Sequence, residues 1–157
     1  MKFDWIVDGV LAASPVPKTD EDMQSLYDGG VRAILTLTER PITAQRGVSS
    51  DVDERLSMTL KHIAIDDFHP PTNEQAEEGV AFINQMAAEG KPVLVHCLAG
   101  QGRTGCILHA YYLLKGYSLT DTKYQVSLKR AICDFNGLSD KQKVFIEQFA
   151  QGRTINI

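Results

Sequence analysis

The chain has 157 residues, enough for one well-cored domain and too few for two of ordinary size. Apolar residues at 43% and charged residues at 23% are ordinary globular values, which excludes a disordered or fibrous chain. A net charge of −4 argues against nucleic acid or an anionic membrane as a standing partner, since both are usually met by a basic face. Three cysteines without a short pairing pattern fit a reducing compartment, and Met1-Lys2-Phe3-Asp4-Trp5 is neither a signal peptide nor an anchor. The expectation is a soluble cytoplasmic protein with one domain over residues 1–157 and no stable membrane association.

In chain order, Phe3 to Val7 and Val10 to Ala13 read as short strands joined by an Asp8-Gly9 hairpin turn. Thr19 with Asp22 is an N-cap arrangement for a helix that stops at Gly29-Gly30. Val31 to Leu37 is apolar enough for a central strand. The polar stretch from Thr38 to Ser50 reads as a loop at that strand's carboxyl end, where open α/β sheets bind ligands. Arg40 and Arg46 on it are either recruiters of an anionic substrate or solvated loop residues. A short helix from Asp51 to Met58 and a strand from Leu60 to Ile65 follow. Thr72 and Gln75 form a capping box for an amphipathic helix reaching Glu89. Val93 to Val95 is a buried strand, and Thr104 to Leu114 is a buried helix closed by Gly116. Ser118 with Asp121 begins a helix to about Ile132, and Ser139 with Gln142 begins a last one to about Ala150. Strands alternating with helices give an α/β fold, a mostly parallel sheet flanked by helices on both faces.

The stretch VLVHCLAGQGRTG, residues 93 to 105, carries the chemistry. Strand, glycine loop and helix follow in order, so loop amides and the first-turn N–H groups of the helix open on one concavity suited to an anion. Gly100, Gly102 and Gly105 let backbone approach a bound group. Arg103 offers a planar fork for two oxygens of a tetrahedral anion. Cys97 lies beneath the same concavity, where helix dipole, amides and guanidinium together favour the thiolate. That combination is a nucleophile under a phosphate.

His96-Cys97-Leu98-Ala99-Gly100-Gln101-Gly102-Arg103-Thr104-Gly105 resembles the His-Cys-x5-Arg-Thr signature of the cysteine-dependent protein tyrosine phosphatase superfamily. Trp5-Ile6-x-x-Gly9-x-Leu11-Ala12, Leu37-Thr38-Glu39-Arg40 and Asp67-Phe68-x-Pro70-Pro71 extend the likeness to small atypical dual-specificity phosphatases. The resemblance implies that Cys97 attacks phosphorus and Arg103 binds the equatorial oxygens. It further implies that Thr104 hydrogen-bonds the sulfur and His96 braces the loop, with Leu98, Ala99, Gly100, Gln101 and Gly102 cradling the phosphate. A departing alkoxide or phenoxide needs a carboxylic acid on a loop over the pocket. The family's pattern puts that acid on Asp67, with Asp66 as the alternative. Gln142 is either a water-positioning residue or simply the third residue of a capping box, and Gln101 either shares that task or lines the rim. One departure is Ala131-Ile132-Cys133-Asp134-Phe135-Asn136-Gly137, where relatives often carry Arg-Pro-Gly.

Gly100-x-Gly102-x-x-Gly105 also fits a dinucleotide fingerprint, but Gly116 leads into another helix rather than a strand ending in an acidic residue. A rhodanese-type sulfurtransferase would explain the loop cysteine and leave Arg103-Thr104 and the Asp67 loop without a purpose. Neither His62, His69 and His109 nor the cysteines have metal-ligand spacing, so the expected chemistry uses no metal and no cofactor. Cys106 and Cys133 are expected as core thiols. The expected partner is a phosphorylated protein or small phosphomonoester: phosphotyrosine first, with phosphoserine and phosphothreonine beside it. A phosphoinositide substrate and a non-catalytic phospho-binding module are the alternatives, and oligomeric state stays open.

Overall fold

The computed structural model describes residues 1–155, with side chains as far as Gly152. A hairpin of β1 (Asp4–Val7) and β2 (Leu11–Ser14) opens the chain, turning through Gly9 at φ +71°. Helix α1 (Asp20–Asp28) starts where the Thr19 side chain accepts the Asp22 amide, as its sequence predicts. Then come β3 (Ala33–Thr36), a 3-10 turn at Ile42–Ala44, α2 (Val52–Leu56), β4 (Thr59–His62) and α3 (Asn73–Ala88). The capping box of α3 is complete: Thr72 takes the Gln75 amide, and the Gln75 side chain takes the Thr72 amide. Strand β5 (Val93–His96), helices α4 (Gly102–Leu114), α5 (Leu119–Lys129) and α6 (Asp140–Ile155) complete the order.

The sheet runs β1-β2-β5-β3-β4, parallel except for the antiparallel β1 edge. Alternation along the strands divides the core into two layers. Ala13, Leu35, Val93 and Val95 pack with α3, α4 and α6, and Ala12, Ile34 and Leu94 pack with α1 and α2. Helices therefore cover both faces of the sheet. The carboxyl end of β5, paired on both sides, is where the cysteine loop begins. Among the described residues no helix is long and apolar enough to cross a membrane.

Three element ends differ from the sequence-based expectation by three residues or more; one of them is α6, which continues to Ile155 rather than stopping near Ala150. The strand expected over Leu60 to Ile65 has its ladder at Thr59–His62, though Ile63 and Ile65 still donate to Thr36 and Leu37. Helix α5 ends at Lys129 rather than Ile132, because Arg130 is extended (φ −151°, ψ 92°) and a 3-10 turn at Ala131–Cys133 follows. The break lets the Arg130 guanidinium reach the cysteine loop instead of solvent.

Candidate active site

Strand β5 delivers Cys97 to the base of a loop that closes into α4 at Gly102. Gly100 has φ +71°, and a Cβ on it would run into the Ser14 carbonyl and the Arg130 guanidinium, so only glycine fits. The loop is tied from outside by Val16, whose N–H donates to the Leu98 carbonyl at 3.0 Å. From beneath, Arg130 Nε and Cys133 Sγ donate to the Gly100 carbonyl at 2.9 and 3.2 Å. Arg130 itself is neutralised by Asp4 at 2.7 Å.

Cys97 is buried, and the Thr104 hydroxyl donates to its sulfur at 3.2 Å. His96 is fully buried. Its Nδ1 lies 3.0 Å from the Cys97 carbonyl, which can only accept, so Nδ1 carries the proton and Nε2 accepts from Thr36 at 2.9 Å. Burial holds the His96 imidazole neutral, with its pKa lowered to about 4. A neutral ring locked at both nitrogens suits a brace rather than a proton carrier.

Arg103 is buried in the first turn of α4. Its Nη1 donates to Glu39 Oε1 at 2.6 Å and to the Ile65 carbonyl at 2.9 Å, and its Nη2 lies 3.3 Å from Asp67 Oδ1. The buried Nε–H has no partner. A backbone amide contact first, and the Arg103 hydrogen bond next, hold the Glu39 carboxyl below the usual carboxylate range.

Asp67 stands on the loop between β4 and α3, with Oδ1 accepting the Phe68 amide at 2.9 Å. Phe68 has φ +65°, which costs a non-glycine residue about 1 kcal/mol. The first turn of α6 holds that conformation: Ser139 Oγ donates to the Phe68 carbonyl at 2.8 Å, and Gln142 Nε2 to the His69 carbonyl at 3.3 Å. Gln142 also closes the α6 capping box, accepting the Ser139 amide at 3.0 Å.

Asp67, Phe68, Cys97, Leu98, Arg103 and Gln142 line one cavity of about 310 Å³, with Ala99, Gln101 and Gly102 in the same wall. Asp66 is exposed and lies outside that lining. The Gln101 side chain, in that wall, places its Nε2 3.4 Å from the Gly137 carbonyl. Cys106 and Cys133 are buried free thiols; burial pushes Cys133 up to about 12 and Cys106 further in the same direction. Gly105, beneath the loop, lies against Leu138. Sequence reasoning gave no role to Glu39, named only within a stretch that carries the family likeness, or to Arg130. The first sits in a polar loop like any solvated glutamate, and the second ends an apparently continuous helix; only folding brings them 64 and 30 positions along the chain to their partners.

The family model described as a polymorphic toxin system DSP-PTPase phosphatase, Tc-R-P, matches residues 10–117. The human phosphatidylglycerophosphatase and protein-tyrosine phosphatase 1 is 28% identical over 113 residues, covering 70% of this chain and 56% of the relative. The dual specificity protein phosphatase OPG106 of monkeypox virus is 25% identical over 101 residues, 64% of this chain and 59% of its own. The matches thus span little more than half the length of these two relatives. The crystal structure of Tk-PTP in the active form superposes with a TM-score of 0.79 at 27% identity, covering 95% of this chain and 96% of that one. PTPMT1 shares the fold at a TM-score of 0.80 and 21% identity, over 99% and 98% of the two chains. Because the matched segment contains both the Asp67 loop and the whole cysteine loop, the chain belongs to the polymorphic toxin system DSP-PTPase phosphatases.

Proposed function

We propose that the chain is a metal-independent phosphatase that hydrolyses phosphotyrosine, and phosphoserine or phosphothreonine beside it, through a phosphocysteine intermediate. The observation that carries this reading is the buried Arg103 with its unpartnered Nε–H, in a cavity it shares with Cys97. A buried donor without a partner costs about 1–3 kcal/mol, and a phosphoryl oxygen would satisfy it. The exposed side chains of Phe68 and Leu98 in the same lining suit the ring of a phosphotyrosine.

In the first step the Cys97 thiolate attacks phosphorus; the S–P bond forms as the P–O bond to the leaving group breaks, and Asp67 gives its proton to that oxygen. Transfer of Arg103 Nη2 from Asp67 to the phosphoryl group frees the carboxyl for this task. In the second step water attacks phosphorus and passes a proton to Asp67. The S–P bond breaks, the Thr104 hydroxyl supports the returning thiolate, and inorganic phosphate leaves. Leu98, Ala99, Gly100, Gln101 and Gly102 cradle the oxygens, and His96 holds the loop. Gln142, in the cavity wall, would take part by exchanging the His69 carbonyl for the hydrolytic water. Three free, buried cysteines suit a reducing compartment such as the cytoplasm.

A lipid phosphomonoester is the second reading, favoured by the human relative's name as a phosphatidylglycerophosphatase. The absence of lysine between Cys97 and Arg103 weighs toward the protein substrate.

The deciding experiment is hydrolysis of para-nitrophenyl phosphate in EDTA by wild type and Cys97→Ser. Turnover by wild type and none by the variant is the expected result. Equal turnover by the variant sinks the covalent mechanism, and loss of wild-type turnover in EDTA sinks metal independence. A folded wild type without turnover both with and without EDTA leaves a phospho-binding module.

A further inference from the structure

We propose, resting on the phosphatase reading above, that the substrate is a phosphotyrosyl peptide with a second anionic side chain beside the phosphotyrosine, read by Arg40 and Arg46. A second hollow of about 410 Å³ adjoins the cysteine cavity, and the two have Asp67, Leu98 and Arg103 in common. Arg40, Gln45 and Arg46 line it as well.

Both guanidinium groups are free of ion pairs among the described residues. The contrast with the other described arginine side chains is informative. Arg32 bonds two carbonyls and covers the Tyr27 ring, Arg55 pairs with Asp20 and Asp51, Arg103 with Glu39 and Asp67, and Arg130 with Asp4. In a chain with a surplus of acidic groups, two unpaired arginines fall in one hollow at the edge of a phosphate site. The two carboxylates of the same hollow do not oppose an anion there with full charge: Glu39 is paired with Arg103, and Asp67 carries the proton that it gives to the leaving group.

The segment that carries the pair is held in place. Ile42 and Val48 are buried in the core layer under α1 and α2. Asp20 donates its N–H to the Gly47 carbonyl at 2.8 Å and accepts the Ser49 amide at 2.8 Å. Thr38 Oγ1 donates to the Arg40 carbonyl at 2.8 Å. Arg40 and Arg46 are thus presented from fixed backbone in a hollow that shares Leu98 with the cysteine cavity. The apolar mouth formed by Phe68 and Leu98 fits an aryl ring better than a polyol, which selects a peptide over an inositol headgroup.

The test uses two synthetic peptides of one sequence, with aspartate or asparagine on both sides of the phosphotyrosine. The wild-type chain should show a kcat/KM about fivefold higher for the aspartate peptide, chiefly through KM and shrinking with added salt, as two exposed ion contacts predict. Arg40→Ala/Arg46→Ala should bring the ratio to near one, and Arg40→Glu/Arg46→Glu should invert it. Equal kcat/KM for both peptides in an active wild type overturns the proposal, as does a preference that survives both double variants. Arginine-dependent discrimination seen only between inositol mono- and bisphosphates overturns the peptide assignment. A wild type inactive on both peptides and on para-nitrophenyl phosphate overturns the phosphatase reading itself, and this proposal with it.

Discussion

Gly100 and Glu39 show how single positions hold the site. At Gly100 the backbone turns through φ +71° against the Ser14 carbonyl and the Arg130 guanidinium, so a methyl group there meets both strain and collision. Gly100→Ala should cost about 2–4 kcal/mol in urea unfolding and weaken inhibition by orthovanadate, because the carbonyl that Arg130 and Cys133 hold must move. Unchanged stability would show that the loop yields easily. Glu39 is half exposed, yet it neutralises a buried guanidinium at 2.6 Å. Glu39→Gln should lower stability by about 1 kcal/mol, discounted for its exposure. Inorganic phosphate should then raise the melting temperature more in the variant than in wild type, since the anion replaces the missing charge. The Glu39 carboxyl is held below its usual range, so its contribution is present above the unfolded carboxylate pKa and is lost as pH falls through the folded one.

At the scale of elements, the start of α6 serves two ends. Ser139 and Gln142 close the helix's own capping box and, with their remaining donors, clamp the Phe68 and His69 carbonyls of the Asp67 loop. Ser139→Ala should therefore cost about 1 kcal/mol as a lost cap. It should also lower kcat severalfold with little change in KM, since the clamp positions Asp67, the proposed acid, and not the anion. A drop in stability with kcat intact would reduce Ser139 to a helix cap. The central strands behave more simply. Leu94 of β5 is buried against α1 and α2, and Leu94→Ala should cost about 3–4 kcal/mol through lost burial and a cavity. Helix α4 is buried from Arg103 to Leu113, so its position, and with it the floor of the cysteine loop, is set by packing on every side.

Over the whole molecule, two buried imidazoles make stability depend on pH. His96 and His109 both have pKa values lowered to about 4, burial being the leading cause in each. The unfolded chain binds these protons near pH 6.5 and the folded one near 4, so stability is full above pH 6.5 and falls as pH drops toward 4. Each histidine should remove about 2 kcal/mol by pH 5. Urea midpoints at pH 7 and pH 5 measure this, and His109→Gln, remote from the anion site, should flatten the difference by about half. An unchanged slope in that variant would place the pH dependence elsewhere.

Most of the secondary structure was legible in the sequence because its signals are local. Thr19, Thr72, Ser118 and Ser139 each cap the helix that their spacing with Asp22, Gln75, Asp121 and Gln142 announces. Val93 to His96 is buried on both faces, as a continuous apolar run requires. The run from His96 to Gly105 likewise identifies an anion loop with a cysteine beneath it, since strand, glycines and helix start lie together in the chain. What needed the tertiary structure is every contact between distant segments. Helix α5 ends three residues early, at Lys129, where Arg130 turns to Gly100 and Asp4 across the fold, and no periodicity in Leu119 to Ile132 announces that. Glu39 becomes a strut, Gln142 a clamp as well as a cap, and Arg40 and Arg46 neighbours of the cysteine cavity only when β3, β4 and α6 bring their ends to the same edge of the sheet. Local chemistry selects elements and motifs within a few residues, whereas the partners of a buried charge are chosen by packing among segments tens of residues apart.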